Sequence, residues 1–467
     1  MNGSNPANAM TLTAAAQAAQ IPSSGSAYVC LLGGRYELSS ELHPAHGGAP
    51  RRGSGDNQYI VYQSYGDGDV DIVWTGGAGV MIRIDSTSSG IGHPTPYLKF
   101  IGLNLDGMNA AIDGFFCRQN DGMWFLGNMV SNTGGAGIGT QRCGYVFSDH
   151  NLINHNGYNP SASNTSGISY NQNECTDNWD GLHFVISNNI IVGEIDKSAA
   201  QSDGNGIILD IQDNNLGIEG ACTAPGFTPP TALIMNNIVY GNGGTCISAF
   251  DFQSYWVINN TCYTNDLNKA QASGNGGSIV SNSDGRVPTT NGYFVNNISY
   301  SWLTTNPPYL QEGSSSNIYY YNNLWWGPSG ITCCSVPNWN NGFSGDPQFV
   351  NAPFFDPSID GQYDGARPPS AIIPTYIETS FRCAGPWVSI CDITGAFALA
   401  SSSSPAYNNG IDPTTNSFLS SQMTSDLMSG LRNFAGSFLP YPISIYYDIN
   451  GKRRTVGTNW DLGALAH

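Results

Sequence analysis

VISNNII (185–191) decides the fold, because it is one of a set. Variants of it are LIMNNIV (233–239), WVINNTC (256–262), YFVNNIS (293–299) and YYYNNLW (319–325). Shorter relatives are FLGNMV (125–130) and SDHNLI (148–153), with a weaker first copy, FIGLNLD (100–106). Counted from Asn104, the Asn recur at spacings of 24, 23, 38, 48, 23, 37 and 26 residues. The shortest interval is 23, and the longer ones read as 23 plus insertions. Repeats of this length mark a solenoid.

The flanks say which solenoid. The phrases are β-branched and aromatic, alternate with period two and end in Gly or Asn turns, which is strand chemistry. No helical window lies between them, and the regular Leu framework of leucine-rich repeats is absent. A coil of that length with two or three short strands predicts an all-β, right-handed parallel β-helix, advancing about 4.8 Å per coil. Asn stacked from coil to coil would hydrogen-bond as a ladder.

A further strand follows each phrase: GFFCRQN from Gly114, GIGTQRC from Gly137, GISYNQN from Gly167, GIILDIQ from Gly206, CISAFDF from Cys246 and SIVSNSD from Ser278. Aligned, these stack Phe115, Ile138, Ile168, Ile207, Ile247 and Ile279 as a core column, with Cys117, Thr140, Tyr170, Leu209, Ala249 and Ser281 also facing in. Alternation then turns Arg118, Gln141, Asn171, Asp210, Phe250 and Asn282 outward. That stripe is either a groove for an extended polymer or a solvated face. Insertions at 154–165, 192–204 and 265–276 all fall before this strand and would wall one side of it. The insertion at 213–230 follows the strand and would form the opposite lip. Long loops gathered around one face favour function.

Composition agrees with this scaffold. Charged residues are 11% of 467, against about 25% in typical domains, with 16 Lys or Arg, 34 Asp or Glu and a net charge of −18. In their place stand 57 Gly and 48 Asn, 32 of the Asn within 151–350. Such a body is a poor partner for nucleic acid, Asn and Gly oppose a long helical bundle, and no run of 18 apolar residues exists to span a membrane. The opening MNGSNPANAM has no signal-peptide pattern and reads as a tag remnant on a secreted chain. Eleven Cys without paired CxxC motifs argue against zinc and for oxidising export; Cys383 and Cys391 could close a small loop. The expected organisation is a lead and cap over 1–24, the β-helix over 25–345, and strands and loops over 346–467 that pack on and cap the coils, since an open solenoid end is a bare sheet edge.

The NN phrases, DGNGIILD (203–210), SGIS (166–169), GDPQFVN (345–351) and the ending DINGKRRTVG…DLGA resemble secreted right-handed parallel β-helix repeat proteins of the pectate-lyase-like superfamily. The resemblance spans roughly residues 25–467 and implies a polysaccharide partner. That superfamily holds lyases, glycoside hydrolases, epimerases and tailspikes, so fold alone does not fix the reaction. The GNG run is also similar to a strand of calcium-dependent pectate lyases, but the basic Lys of that strand is missing here. The paired aspartates and His-Gly run of polygalacturonases are missing too.

Carboxylates crowd around 174–213 in a chain where charge is scarce: Glu174, Asp177, Asp180, Glu194, Asp196, Asp203, Asp210 and Asp213. Two chemistries fit. In the slightly preferred one, Asp203, Asp210, Asp213 and Glu174 hold Ca2+, and Lys197 takes a proton in β-elimination, with Arg118 and Arg142 nearby. In the other, Asp203 and Asp210 act as a glycosidase carboxylate pair; Asn171, Arg118, Gln141, Arg142, His183 and Phe250 are the expected substrate-binding residues. A non-catalytic glycan-binding adhesin is the third reading. Trp179, Tyr255, Trp256, Trp325 and Trp326 are further aromatic candidates, some of them necessarily core.

Overall fold

The computed structural model describes residues 11–18, 26–44, 59–85, 97–162, 165–175, 181–213, 222, 228–268, 277–301, 305–334, 336–352, 391–429 and 443–467. Each repeat supplies three short strands, and the strands stack into two sheets of eleven and one of eight, with every ladder pairing parallel. This is the parallel β-helix that the repeat predicts, winding with the right hand that parallel crossovers almost always take. One coil runs from Asp121–Leu126 in the first sheet, through Asn128, to Met129–Ser131 in the second and Ile138–Gln141 in the third. The core inside the three sheets holds Phe115, Ile138, Ile168, Ile207, Ile247 and Ile279, all fully buried and in register across the third sheet.

The doubled Asn now has a physical account, one role for each residue. The first of each pair turns the corner with a left-handed backbone: φ is 55° at Asn188 and Asn236, 56° at Asn259, 58° at Asn296 and 51° at Asn322. Asn tolerates this conformation better than other non-glycine residues. The second points inward as a rung. Asn128, Asn151, Asn189, Asn237, Asn260 and Asn297 each donate from Nδ2 to the Oδ1 of the next rung, the last being Asn323, at 2.9–3.1 Å. Each interior rung, from Asn151 to Asn297, is satisfied by the same four bonds. In Asn237, Oδ1 accepts the backbone N–H and side-chain amide of Asn189, and Nδ2 donates to Ile186 O and to Asn260. Asn104 is not a rung. Gly102 takes the left-handed position in its coil (φ 65°), so the rung slot falls on Leu103, whose N–H donates to Asn128 Oδ1.

A second ladder lies at the next corner. Thr133 donates to Asn156, Asn156 to Glu194, the Glu194 N–H to Asn242, and Asn242 to Asn265. Glu194 is therefore a rung, fully buried, and not a groove carboxylate. Burial pushes its carboxyl well above the usual range, partly offset by the Asn156 amide. A protonated Glu at this slot is the near-isostere of an amide.

The first and second sheets are apolar on their outer faces as well. Described C-terminal residues lie along these faces: Leu419, Leu427, Ile443, Ile445 and Trp460 against Trp124, Leu233 and Trp256, and Phe397, Ile449 and Ala464 against Ile190, Ile238 and Tyr240. Corner Asn side chains fasten them. Asn236 donates to Tyr447 O at 2.6 Å, Asn296 to Ile411 O at 2.7 Å and Asn322 to Asn409 O at 2.8 Å. At the other end, Leu12 and Ala16 of the helix Leu12–Ala18 join the core beside the first strands. Disulfides join Cys175 to Cys222, Cys246 to Cys262 and Cys333 to Cys334, while Cys30, Cys117 and Cys143 are free. The expected Cys383–Cys391 loop lies outside the described residues.

Two outcomes follow for stability. Asn260→Ala leaves the backbone and side-chain donors of Asn237 buried without an acceptor, a loss of about 3 kcal/mol. Its neighbour Asn259 buries an amide that has no hydrogen-bond partner and needs only its left-handed backbone, so Asn259→Gly stays within about 1 kcal/mol of the parent. Urea unfolding of both variants checks this; equal losses would contradict the division of roles. The second outcome concerns Glu194. Its raised folded-state affinity for a proton gives stability that is present below the ordinary carboxyl range and lost as pH rises. Glu194→Gln should therefore lose less melting temperature than the parent between pH 5 and pH 8, and an unchanged difference would place the charge elsewhere.

Candidate active site

The third sheet turns a different outer face to solvent. Parallel register sets Arg118, Gln141, Asn171, Asp210, Phe250 and Asn282 side by side across successive strands. Alternation gives each strand a second outward position, which the sequence reading passed over: Phe116, Gly139, Ser169, Ile208, Ser248 and Val280. Gln141, Asn171, Asp210, Phe250 and Asn282 of the first column and Ile208, Ser248 and Val280 of the second floor a cleft of about 450 Å3, which Asp203 and Arg286 also line.

One wall is built by the corner insertions. Asp196 is buried and accepts the backbone N–H groups of Ser198, Ser202 and Asp203 at 2.9–3.2 Å. It is thus the structural clamp of the loop that presents Asp203. Backbone bonds tie each wall loop to the next, from Lys197 to Gly157, Gly204 to Thr165, Gly244 to Gly204 and Asp266 to Gly244. Asp203 accepts from Ser202 Oγ at 2.9 Å and Asn205 Nδ2 at 3.3 Å. Burial pushes its carboxyl up to about 6, and the Asp196 charge adds to the rise against the Ser202 bond. Asp266, also lining the cleft, is pushed well above the ordinary range by burial.

The opposite lip carries the cation of the cleft. Arg286 lies 2.7 Å from Asp284 and 3.4 Å from the buried Asp251, with its guanidinium 5.8 Å from the Phe250 ring centroid. Burial, with Asp284 second, raises Asp251 to about 6. Sequence reading missed Arg286, Asp251 and Asp266. The available signal for Arg286 was the SDGR turn directly after Asn282.

Of the residues singled out, Asp203, Asp210, Gln141, Asn171 and Phe250 line the cleft, and Lys197, Arg118, Arg142, His183 and Glu174 do not. His183 sits in the first sheet, stacked on Tyr145 at 4.7 Å with Nδ1 2.9 Å from Gly181 O. Arg118 is exposed at the far end of the column, and Arg142 occupies a left-handed corner (φ 56°). Glu174 is buried beyond the cleft on the same strand as Asn171. The Asp213 side chain, Asp177, Trp179 and Asp180 lie outside the described residues. Tyr255 is core, and Trp256 is buried against Tyr293 at 4.3 Å.

Calcium takes six to eight oxygens. Among the described residues, no three His, Cys, Asp or Glu side chains gather as a metal cluster. Of the expected donors, Asp203 and Asp210 line the cleft, Glu174 does not, and the Asp213 side chain lies outside the described residues.

No family model matches the chain, and no curated protein matches it. Solved structures that resemble it include Geobacillus virus E2 ORF18, at 11% identity and TM-score 0.38 over 70% of this chain and 56% of that one. Another is the A-module of the Azotobacter vinelandii mannuronan C-5 epimerase AlgE4, at 14% identity and TM-score 0.31 over 69% of this chain and 87% of that one. A third is the PL6 family polysaccharide lyase Pedsa3628 from Pseudopedobacter saltans, at 13% identity and TM-score 0.31 over 72% and 91%.

The clamp makes its own prediction. Asp196→Asn keeps an acceptor in the loop but removes the charge that raises Asp203, so the Asp203 titration midpoint should fall below about 6. Carbon-13 carboxyl NMR reads it directly, and a midpoint that stays or rises refutes the electrostatic link. By its own sheet topology, the chain is a parallel β-helix protein with one polar, open face.

Proposed function

We propose that the chain is a secreted carbohydrate-active enzyme that hydrolyses glycosidic bonds in the third-sheet cleft. The observation that carries this is the placement of Asp203 and Asp210 in one cleft, with Asp203 holding its proton up to about 6. Carboxyl groups of unlike environment divide into acid and base roles. Asp203 donates its proton to the leaving oxygen. Asp210, on the open floor, serves as nucleophile or activates water. Gln141 and Asn171 offer amides to sugar hydroxyls, and Phe250 offers an aromatic surface. With Asp203 and Asp266 holding protons, the lining sets Asp210 against Arg286 without an excess of cations, which suits a neutral glycan. Three disulfides support an oxidising, extracellular setting. No step of this reaction runs through calcium.

Arg286 favours a second reading, β-elimination on a uronate that it neutralises. Lys197, the base expected for elimination, does not line the cleft.

Products separate the readings. Hydrolysis yields reducing ends without near-ultraviolet absorbance; unsaturated, absorbing products would establish elimination; binding without turnover on a broad glycan panel would establish an adhesin. Asp203→Asn and Asp210→Asn should each lower kcat by about 10³-fold. The general acid must be protonated, so activity falls as pH rises through about 6. That limb should vanish in Asp203→Asn, and its persistence there would assign the acid to another residue.

A further inference from the structure

Beside the cleft lies a second hollow of about 300 Å3, lined by Phe116, Gly139, Ser161, Thr165 and Ser169 together with Gln141 and Asn171, which it shares with the first. We propose that the two are one groove, and that the Phe116 hollow is a distal subsite for a neutral glycan chain lying along the solenoid axis. This rests on the cleft being a glycan site but not on cleavage.

The floor is continuous because Phe116, Gly139, Ser169 and Ile208 are register partners on successive strands. Two small residues thus separate two bulky ones, and a depression forms between them. Gly139 lets the Phe116 ring lean over its position, where a Cβ would come within 3.2 Å of the ring and oblige it to shift. The ring is held from its other neighbour by Arg83, 5.4 Å from the centroid and fixed at 2.8 Å by Glu41. An aromatic ring in an open, polar-rimmed hollow suits the apolar face of a sugar, with hydroxyls and amides at the edge.

The wall is continuous too. The loop bearing Ser161 is pinned through Asn159 to Gly134 O, and the bond from Lys197 N to Gly157 O ties it to the loop bearing Asp203. Three strand steps separate Phe116 from Asp210, about 14 Å, so several sugar units would bridge the two. The carboxylate of this hollow, Asp113, accepts the Ala136 N–H at 2.7 Å. It braces the corner, and among the described residues lining the hollow there is no second carboxylate to pair with it. The hollow therefore binds, while chemistry stays at Asp203 and Asp210.

The test titrates the full chain, as Asp210→Asn to prevent consumption, with malto-, cello-, xylo- and manno-oligosaccharides of two to seven units in a calorimeter. One series should bind, with affinity rising at least about tenfold between two and seven units. Phe116→Ala should remove that rise and Phe116→Tyr should keep it, with melting curves confirming that both fold. Turnover by the parent without a length-dependent gain, or a gain indifferent to Phe116→Ala, overturns the subsite and leaves the reaction standing. Length-dependent binding lost in Phe116→Ala, with no turnover by the parent, upholds the subsite and removes the reaction. Binding to none of the four series overturns both.

Discussion

The amide stack from Asn128 to Asn323 is the constraint on which the rest depends. A buried amide has two donors and two acceptor sites, and here all four are met only if the next coil brings its own Asn to the same place. A slip of one residue would turn every side chain to the other face. The ladder therefore fixes the register of all three sheets. It is the reason that Asn171, Asp210 and Phe250 are neighbours although 39 and 40 residues separate them in the chain.

Register alone would give three equivalent faces. The protein makes them unequal through chemistry on the outward positions. On the first two sheets these are Trp, Leu, Ile and Tyr, and C-terminal residues cover them. On the third they are amides, carboxylates, hydroxyls and isolated apolar groups, bordered by the loop of Asp203 and the turn of Arg286. Neutral polar groups hold the frame, so charge is reserved for few places. One is the cleft, where burial behind the wall gives Asp203 and Asp266 an affinity for protons that a surface carboxylate lacks.

The sequence disclosed whatever obeyed a period. The Asn spacing and the inward and outward columns of the third sheet follow from repetition and alternation, and the register confirms them pair by pair. Positions at corners were opaque, because a corner has no period. Glu194, Asp196 and Asp203 lie within ten residues, yet one is a ladder rung, one a loop clamp and one a cleft carboxyl. Density of carboxylates located the neighbourhood but not the direction of any side chain. Asn104 stands outside the ladder for a related reason: the rung slot is set by the left-handed residue before it, Gly102 in this coil, and not by the Asn itself. Arg286 and Phe116 were missed because scarce charge drew attention to the acids, and because only one of two outward columns was followed.

The central claim is that the cleft breaks a glycosidic bond by adding water. Cleavage in 18O-enriched water tests it most directly. Mass spectrometry of the products should find one 18O atom for each bond broken, carried at the new reducing end. Unlabelled products with an unsaturated terminal sugar would contradict the claim and assign the cleft to elimination.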